Sequence, residues 1–219
     1  MRSPDVSTQD NYISSLFAKE NSTQQLSRQF AEELGLARIS VSPAEAQVMK
    51  TLIKAHGGRL FIEIGTLTGL SAQYIVEALP ADGELWTLEK DPRHASKARE
   101  VFAQMKLGSK KIHLVEGDAR EQLLQLAELG PFDGLFIDGN KAAYYDYLLW
   151  AEKNLRRGGL ILADNIFLSG AVWGAETAQR FSPKQIDIMR QFNTRLADAS
   201  LYDSAILTTA EGLFMAVKK

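Results

Sequence analysis

The chain has no cysteine, and its 219 residues include only three histidines. The first absence excludes disulfides, thiolate metal sites and cysteine nucleophiles, and it fits a reducing, cytoplasmic setting. The histidines, His56, His94 and His113, fall in a loop, a helix and a strand. They show neither ligand spacing nor a Ser/His/Asp pattern and read as structural. Charge of one sign is also missing. With 25 Lys and Arg against 27 Asp and Glu the net charge is −2, so no bulk field draws the chain to nucleic acid or to an anionic membrane. A local basic patch is not excluded by that total. No apolar run approaches the roughly 18 residues of a membrane span. The opening stretch, "MRSPDVSTQDNYISSLF", lacks the apolar core of a signal peptide.

Neither repeats nor low-complexity tracts nor linkers interrupt the chain, and its 45% hydrophobic content suffices for one sizeable core. A single domain over residues 1–219 is expected, with a helical cap over 1–58 and an α/β core over 59–219. From Arg59 onward short β-rich runs alternate with helical ones. "RLFIEIG", "ELWTLE", "KIHLVEG", "FDGLFID" and "GLILAD" read as strands. "LSAQYIVEAL", "PRHASKAREVFAQM", "AREQLLQLAEL" and "AAYYDYLLWAEKNL" lie between them as helices. Such alternation implies βαβ units, right-handed crossovers and a doubly wound parallel sheet. The end of the chain departs from that pattern. After a helix in "PKQIDIMRQFNTRLAD", the runs "LYDSAILTTA" and "GLFMAVKK" meet at Glu211–Gly212, predicting a terminal antiparallel hairpin.

In an open α/β sheet, ligands bind beyond the carboxyl ends of the strands. The first strand ends "FIEIGTLTGLS", where Gly65 and Gly69 permit a tight turn and close approach of a ligand to the next helix's amides. A dinucleotide fingerprint needs glycine at position 67, which is leucine here, and Glu63 is an awkward neighbour for a pyrophosphate. A cofactor bearing an ammonium and no phosphate suits the loop better. Glu89 ends the second strand 24 residues after Gly65, where a carboxylate can accept both ribose hydroxyls or simply be solvated. Asp118, closing the third strand in "EGDAR", can take an adenine amino group or cap the helix that begins at Ala119.

Asp138 ends the fourth strand and Asp164–Asn165 the fifth, 26 positions apart in sequence between Asp138 and Asp164 but at neighbouring strand ends. Two carboxylates and an amide oxygen form an all-oxygen set that suits magnesium, calcium or manganese. The bland alternative is that these residues cap helices or form turns. Lys141 follows Asp138 by three residues, at or before the first helical turn, where the macrodipole disfavours a cation. It either points into water or serves a substrate beside the metal. Trp86, Trp150, Tyr144, Tyr145 and Tyr147 read mainly as packing residues.

Taken in order, "VSPAEAQ", "EIGTLTGLS", "EGDA", "FIDGNKAAY", "RRGGLILADN" and "EGLFMAVKK" give the chain, from about Ile39 to its end, its resemblance to the cation-dependent, S-adenosylmethionine-dependent O-methyltransferases. That is the family of catechol and caffeoyl-coenzyme A O-methyltransferases and their small bacterial relatives. The resemblance implies a Rossmann-like, class I methyltransferase sheet of seven strands with the last antiparallel. It implies that Glu63, Gly65 and Ser71 hold the methionine part of the cofactor, with Val41 and Tyr147 reaching it and Asp138 also among the cofactor-binding residues. Glu89 would bind the ribose and Asp118 with Ala119 the adenine. Asp138, Asp164 and Asn165 would ligate a divalent cation, magnesium above all, and Lys141 would be the general base for a catechol-like acceptor. Bacterial relatives commonly pair, which implies a homodimer. The chain departs from the family's D-A-D-K and G-T-F-T-G-Y-S at Gly139, Asn140, Leu67 and Leu70. Methylation of a hydroxylated uridine in tRNA, aided by Arg156, Arg157 and Lys184, is the alternative enzyme reading, and a non-catalytic cofactor-binding protein is the alternative outside enzymology.

Overall fold

A computed structural model of the chain describes residues 8–175, 179–209 and 211–219. In chain order the elements are α1 (Thr8–Phe17), α2 (Ser22–Glu33), α3 (Pro43–His56), β1 (Leu60–Ile64), α4 (Leu70–Ala78), β2 (Glu84–Glu89), α5 (Pro92–Phe102) and β3 (Lys111–Glu116). They continue with α6 (Ala119–Leu126), β4 (Phe132–Ile137), α7 (Tyr144–Asn154), β5 (Leu155–Ala163), α8 (Pro183–Leu196), β6 (Tyr202–Leu207) and β7 (Leu213–Lys218). The strands form one seven-stranded sheet ordered β3-β2-β1-β4-β5-β7-β6. β7 runs antiparallel to both β5 and β6, so the terminal hairpin expected from the sequence is present. Order and direction together are those of the Rossmann-like α/β fold. Among the described residues no helix is long and apolar enough to cross a membrane.

The chain packs as two compact units. The first comprises the chain through Leu60 together with Thr66–Asp118. Its helices begin where local chemistry satisfies their free amides. Ser42 and Glu45 form a capping box at α3 with Pro43 in the first turn, and Gly57 closes that helix in a left-handed conformation, φ 73°. Asn21 and Gln24 do the same for α2. A reciprocal pair ties α2 to the glycine loop: Ser27 Oγ donates to the Thr68 carbonyl and Thr68 Oγ1 to the Ser27 carbonyl, each at 2.8 Å.

The second unit comprises Phe61–Gly65 and Ala119–Lys219. Its central strands β1, β4 and the later part of β5 are largely apolar on both faces, as a doubly covered sheet requires, with Phe61, Ile62, Phe132, Leu135, Ile137 and Ile161 all buried. β5 is longer than the sequence suggested, starting at Leu155, and the β4–β5 register shifts between Phe132 and Gly134. Beyond that irregularity the ladder is regular: Ile64 pairs with Ile137, and Ile137 with Ala163. This register brings the residues after each strand, Gly65, Asp138 and Asp164, out at one edge.

Candidate active site

In the second unit the strand ends approach closely. Asp138 N donates to the Ile64 carbonyl at 2.9 Å and Asp164 N to the Ile137 carbonyl at 3.0 Å. Gly65, φ 100°, lies flush against Asp138, so that a Cβ on it would stand 2.2 Å from the Asp138 carbonyl oxygen. That glycine therefore has a packing reason besides ligand approach. Gly139, where relatives carry alanine, leaves space for Ile64, whose Cγ2 would stand 2.8 Å from an added Cβ. Asn140 accepts a hydrogen bond from Ala142 N at 3.1 Å and so starts the single 3₁₀ turn Lys141–Ala143, a role an aspartate fills equally well.

Lys141 heads that turn and does not point into water. Its Nζ donates to Asp138 Oδ1 at 3.0 Å, to Asn165 Oδ1 at 2.9 Å and to Tyr144 Oη at 2.5 Å. All three ammonium protons thus have acceptors, in a setting where the Lys141 and Asp138 side chains are only 17% and 18% exposed. Asn165 adopts the left-handed conformation, φ 59°, which asparagine tolerates better than most residues. Asp164 is buried, and its Oδ1 accepts from Asn165 N at 2.7 Å. Asp138 and Asn165 thereby meet at the head of Lys141, while the Asp164 side chain is bonded to the Asn165 amide. Among the described residues no group of three or more His, Cys, Asp or Glu is placed to hold a metal ion, and this set has two carboxylates plus an amide.

Tyr144, which the sequence reading assigned to packing, is part of this centre. It is fully buried, and its hydroxyl donates to the Asp164 carbonyl at 2.9 Å while accepting from Lys141. Burial, reinforced by the negative charges of Asp138 and Asp164, pushes its phenol well above the ordinary value, so it remains a donor. The signal available was its place three residues after Lys141, one helical turn on. Tyr147 is buried with its ring 6.3 Å from that of Tyr144, and Glu63 is fully buried on β1 opposite Phe136. Ala119 is the first residue of α6.

The remaining cofactor candidates lie in the first unit. Glu89 is buried at the end of β2, and its two oxygens each accept one backbone amide: Oε2 from Leu67 at 2.7 Å and Oε1 from Asp91 at 2.8 Å. The first bond fastens Leu67 in a left-handed conformation, φ 50°. A carboxylate oxygen has two lone pairs, so acceptor capacity remains on both. His94, read as structural, lies with Nδ1 3.5 Å from Glu89 Oε1. Asp118 stands immediately before α6 and accepts from Lys90 at 3.1 Å. Ser71 sits in the first turn of α4. Val41 is buried, with its carbonyl accepting from Arg28 Nη2 at 3.0 Å while the same guanidinium grips Glu20 at 2.6 and 2.7 Å. Of the other histidines, His113 stacks on Trp86 with ring centroids 4.0 Å apart.

Fold and strand-end chemistry together define a Rossmann-like methyltransferase. Residues 13–219 match the family model described as O-methyltransferase, and the chain belongs to that family. It is 33% identical over 217 residues to a catechol O-methyltransferase of Niastella koreensis, covering 96% of each chain. Among solved structures it is similar to an O-methyltransferase from Bacillus cereus in complex with SAH, with a TM-score of 0.87, 28% identity and coverage of 96% of this chain and 97% of that one. TomG of Streptomyces achromogenes, an O-methyltransferase involved in tomaymycin synthesis and solved with SAM, gives 0.86 and 28%, with 97% and 96% covered. The chain is accordingly a methyltransferase enzyme, and the non-catalytic alternative is set aside.

Proposed function

We propose that the enzyme transfers the methyl group of S-adenosylmethionine to one hydroxyl of a catechol-like small molecule, with a divalent cation held by Asp138, Asp164 and Asn165. One observation carries the reading: oxygens from two different strand ends, Asp138 Oδ1 and Asn165 Oδ1, converge within 3.0 and 2.9 Å of a single cationic centre, the Lys141 ammonium. Hard oxygen donors so gathered suit magnesium, with calcium or manganese as substitutes. The catechol O-methyltransferase relative and the SAH and SAM complexes of the structural neighbours support acceptor class and donor.

A phenol with a pKa near 10 is mostly protonated at neutral pH. When bound, a divalent cation supplies Lewis-acid stabilisation of the phenolate oxygen. With Asp138 and Asn165 engaged by a cation, Nζ of Lys141 is released from those two oxygens and donates to the acceptor oxygen or, once deprotonated, takes the hydroxyl proton. Tyr144 keeps Nζ at that station. On the cofactor side, Glu89 accepts from the ribose and Asp118 with Ala119 meets the adenine. Glu63, Gly65, Ser71, Val41 and Tyr147 surround the methionine portion. The tRNA reading is less well supported, because Arg156, one of the cations it needs, is paired with Asp133 at 2.6 Å.

The deciding experiment is methylation of a catechol panel with magnesium, after EDTA, and after magnesium is restored. Activity should vanish in chelator and return with the metal. Full turnover in EDTA overturns the metal role. Methylation of bulk tRNA but of no catechol overturns the acceptor class.

A further inference from the structure

The backbone that follows Asn165 is unusual. Asn165 (φ 59°), Leu168 (φ 48°), Ser169 (φ 51°) and Gly170 (φ 89°) all lie in the left-handed region. For Leu168 and Ser169 that conformation crowds Cβ against the carbonyl, so something outside the segment must hold it. The structure shows what does. Glu211, 6% exposed, reaches in from the β6–β7 connection. Its Oε2 accepts from Ser169 N at 3.1 Å, and Ser169 Oγ lies 3.1 Å from Oε1 and 3.3 Å from Oε2. Main-chain bonds continue the seam: Phe167 N donates to the Glu211 carbonyl at 3.1 Å and Ile166 N to that of Gly212 at 3.3 Å. Gly212 presses against the same segment, since a Cβ there would stand 2.8 Å from Ile166 Cγ1 and from the Phe167 ring.

A buried carboxylate is costly to desolvate, and a neutral glutamine or a hydrophobic residue would close a hairpin with less penalty. Charge-assisted bonds to a backbone amide and a hydroxyl are stronger than neutral ones and more demanding in geometry. Such a group is suited to fixing a position. The position it fixes begins one residue after a candidate metal ligand.

We propose that Glu211 is a positioning residue for the acceptor side of the site. By holding residues 166–170, with their left-handed turn at 168–170, it sets the presentation of Asn165 and so the acceptor side of the proposed metal site, and it has no part in holding the cofactor. This rests on the catechol-methylation reading above for what the site recognises.

The test compares wild type with Glu211→Ala, Glu211→Gln and Ser169→Ala, using catechol kinetics with magnesium, SAH titration calorimetry and amide exchange of the 166–170 segment. Glu211→Ala should raise the acceptor KM about tenfold or more, the loss of roughly two hydrogen bonds to a charged group, with SAH affinity within about twofold. It should also remove exchange protection from 166–170 while β5 keeps its own. Glu211→Gln retains an oxygen for the Ser169 amide and an NH₂ for the hydroxyl but loses the charge, and should leave the acceptor KM between those of wild type and Glu211→Ala. Ser169→Ala removes only the hydroxyl contact and should shift the acceptor KM in the same direction by a smaller factor, which keeps the test available should Glu211→Ala fail to fold. Parallel losses in acceptor KM and SAH affinity would show a merely structural role and overturn the proposal. Unchanged exchange at 166–170 in Glu211→Ala would overturn it as well. If wild type methylates no catechol, the function reading fails by itself, while the exchange comparison still decides whether Glu211 holds the segment.

Discussion

Tyr144 accepts a hydrogen bond from Lys141 at 2.5 Å and donates its own proton to the carbonyl of Asp164 at 2.9 Å. One buried phenol thus links the candidate base to the main chain of a candidate metal ligand. Neither partner alone explains why a tyrosine is buried there with its ring 5.4 Å from Phe192. Packing would be served by phenylalanine.

The Tyr144→Phe chain should therefore fold, with stability lowered by about 1–2 kcal/mol for the lost buried bonds. Its kcat on a catechol should fall about tenfold as Lys141 loses one of its holders, with SAH affinity unchanged. Thermal unfolding and steady-state kinetics on the purified variant check both. A kcat equal to wild type would reduce Tyr144 to a packing residue.

Lys141→Met removes the charge and the proton acceptor while keeping an unbranched side chain in place. The expected loss in kcat is about 10²–10⁴-fold, the range of general acid–base catalysis. Binding of SAH should stay within about twofold, because Nζ bonds to Asp138, Tyr144 and Asn165 and is not among the groups proposed to hold the cofactor. Rapid-quench measurement of a single turnover isolates the chemical step, and an unchanged rate would remove Lys141 from it.

Gly65→Ala tests packing against ligand approach. An added Cβ would stand 2.2 Å from the Asp138 carbonyl oxygen, and the residue's φ of 100° is unfavourable for alanine. The variant should lose stability by roughly 1–3 kcal/mol, the range for strained backbone, and, if Asp138 ligates a cation as proposed, should bind manganese more weakly because Asp138 is displaced. Calorimetric Tm and manganese titration report the two effects separately. A wild-type Tm with weakened SAH binding alone would mean that the glycine serves only the cofactor.

Far from the site, Glu152 on α7 accepts from Arg195 at 2.8 and 3.0 Å and from the Tyr202 hydroxyl at 2.6 Å, joining α7 to α8 and β6. Burial pushes its carboxyl up, but the hydrogen bonds from Arg195 and Tyr202 outweigh that and hold it below the ordinary glutamate value. A depressed folded-state pKa contributes stability above the unfolded value and loses it as pH falls through the folded one. Glu152→Gln should therefore cost about 1–3 kcal/mol near neutrality, with the gap to wild type closing below about pH 4. Denaturant unfolding across that range measures it; a gap independent of pH would assign the loss to packing.

Much was legible beforehand because it rests on local patterns. Alternating β-rich and helical runs gave the parallel core, and the paired runs beyond Ala199 gave the terminal hairpin, both present in the sheet. Asp138, Asp164 and Asn165 could be grouped because each ends a strand, and parallel neighbours in register bring their ends together. The start of β5 was not legible because Arg156–Gly159 has no strand-like periodicity; pairing of Leu155 with Phe132 on β4, across the register shift, extends it.

By itself, then, the order of residues determined the class of fold, the strand-end acids and the motifs that mark the family, since periodicity, turn chemistry and glycine spacing are local properties of the chain. Only the tertiary structure decided what those groups face. Lys141 turned inward to three acceptors, Tyr144 was drawn from packing into the centre, and Glu211 met Ser169 across 42 positions of sequence. Such pairings are settled by which buried polar groups find partners once the sheet closes, a condition that no local window of sequence contains.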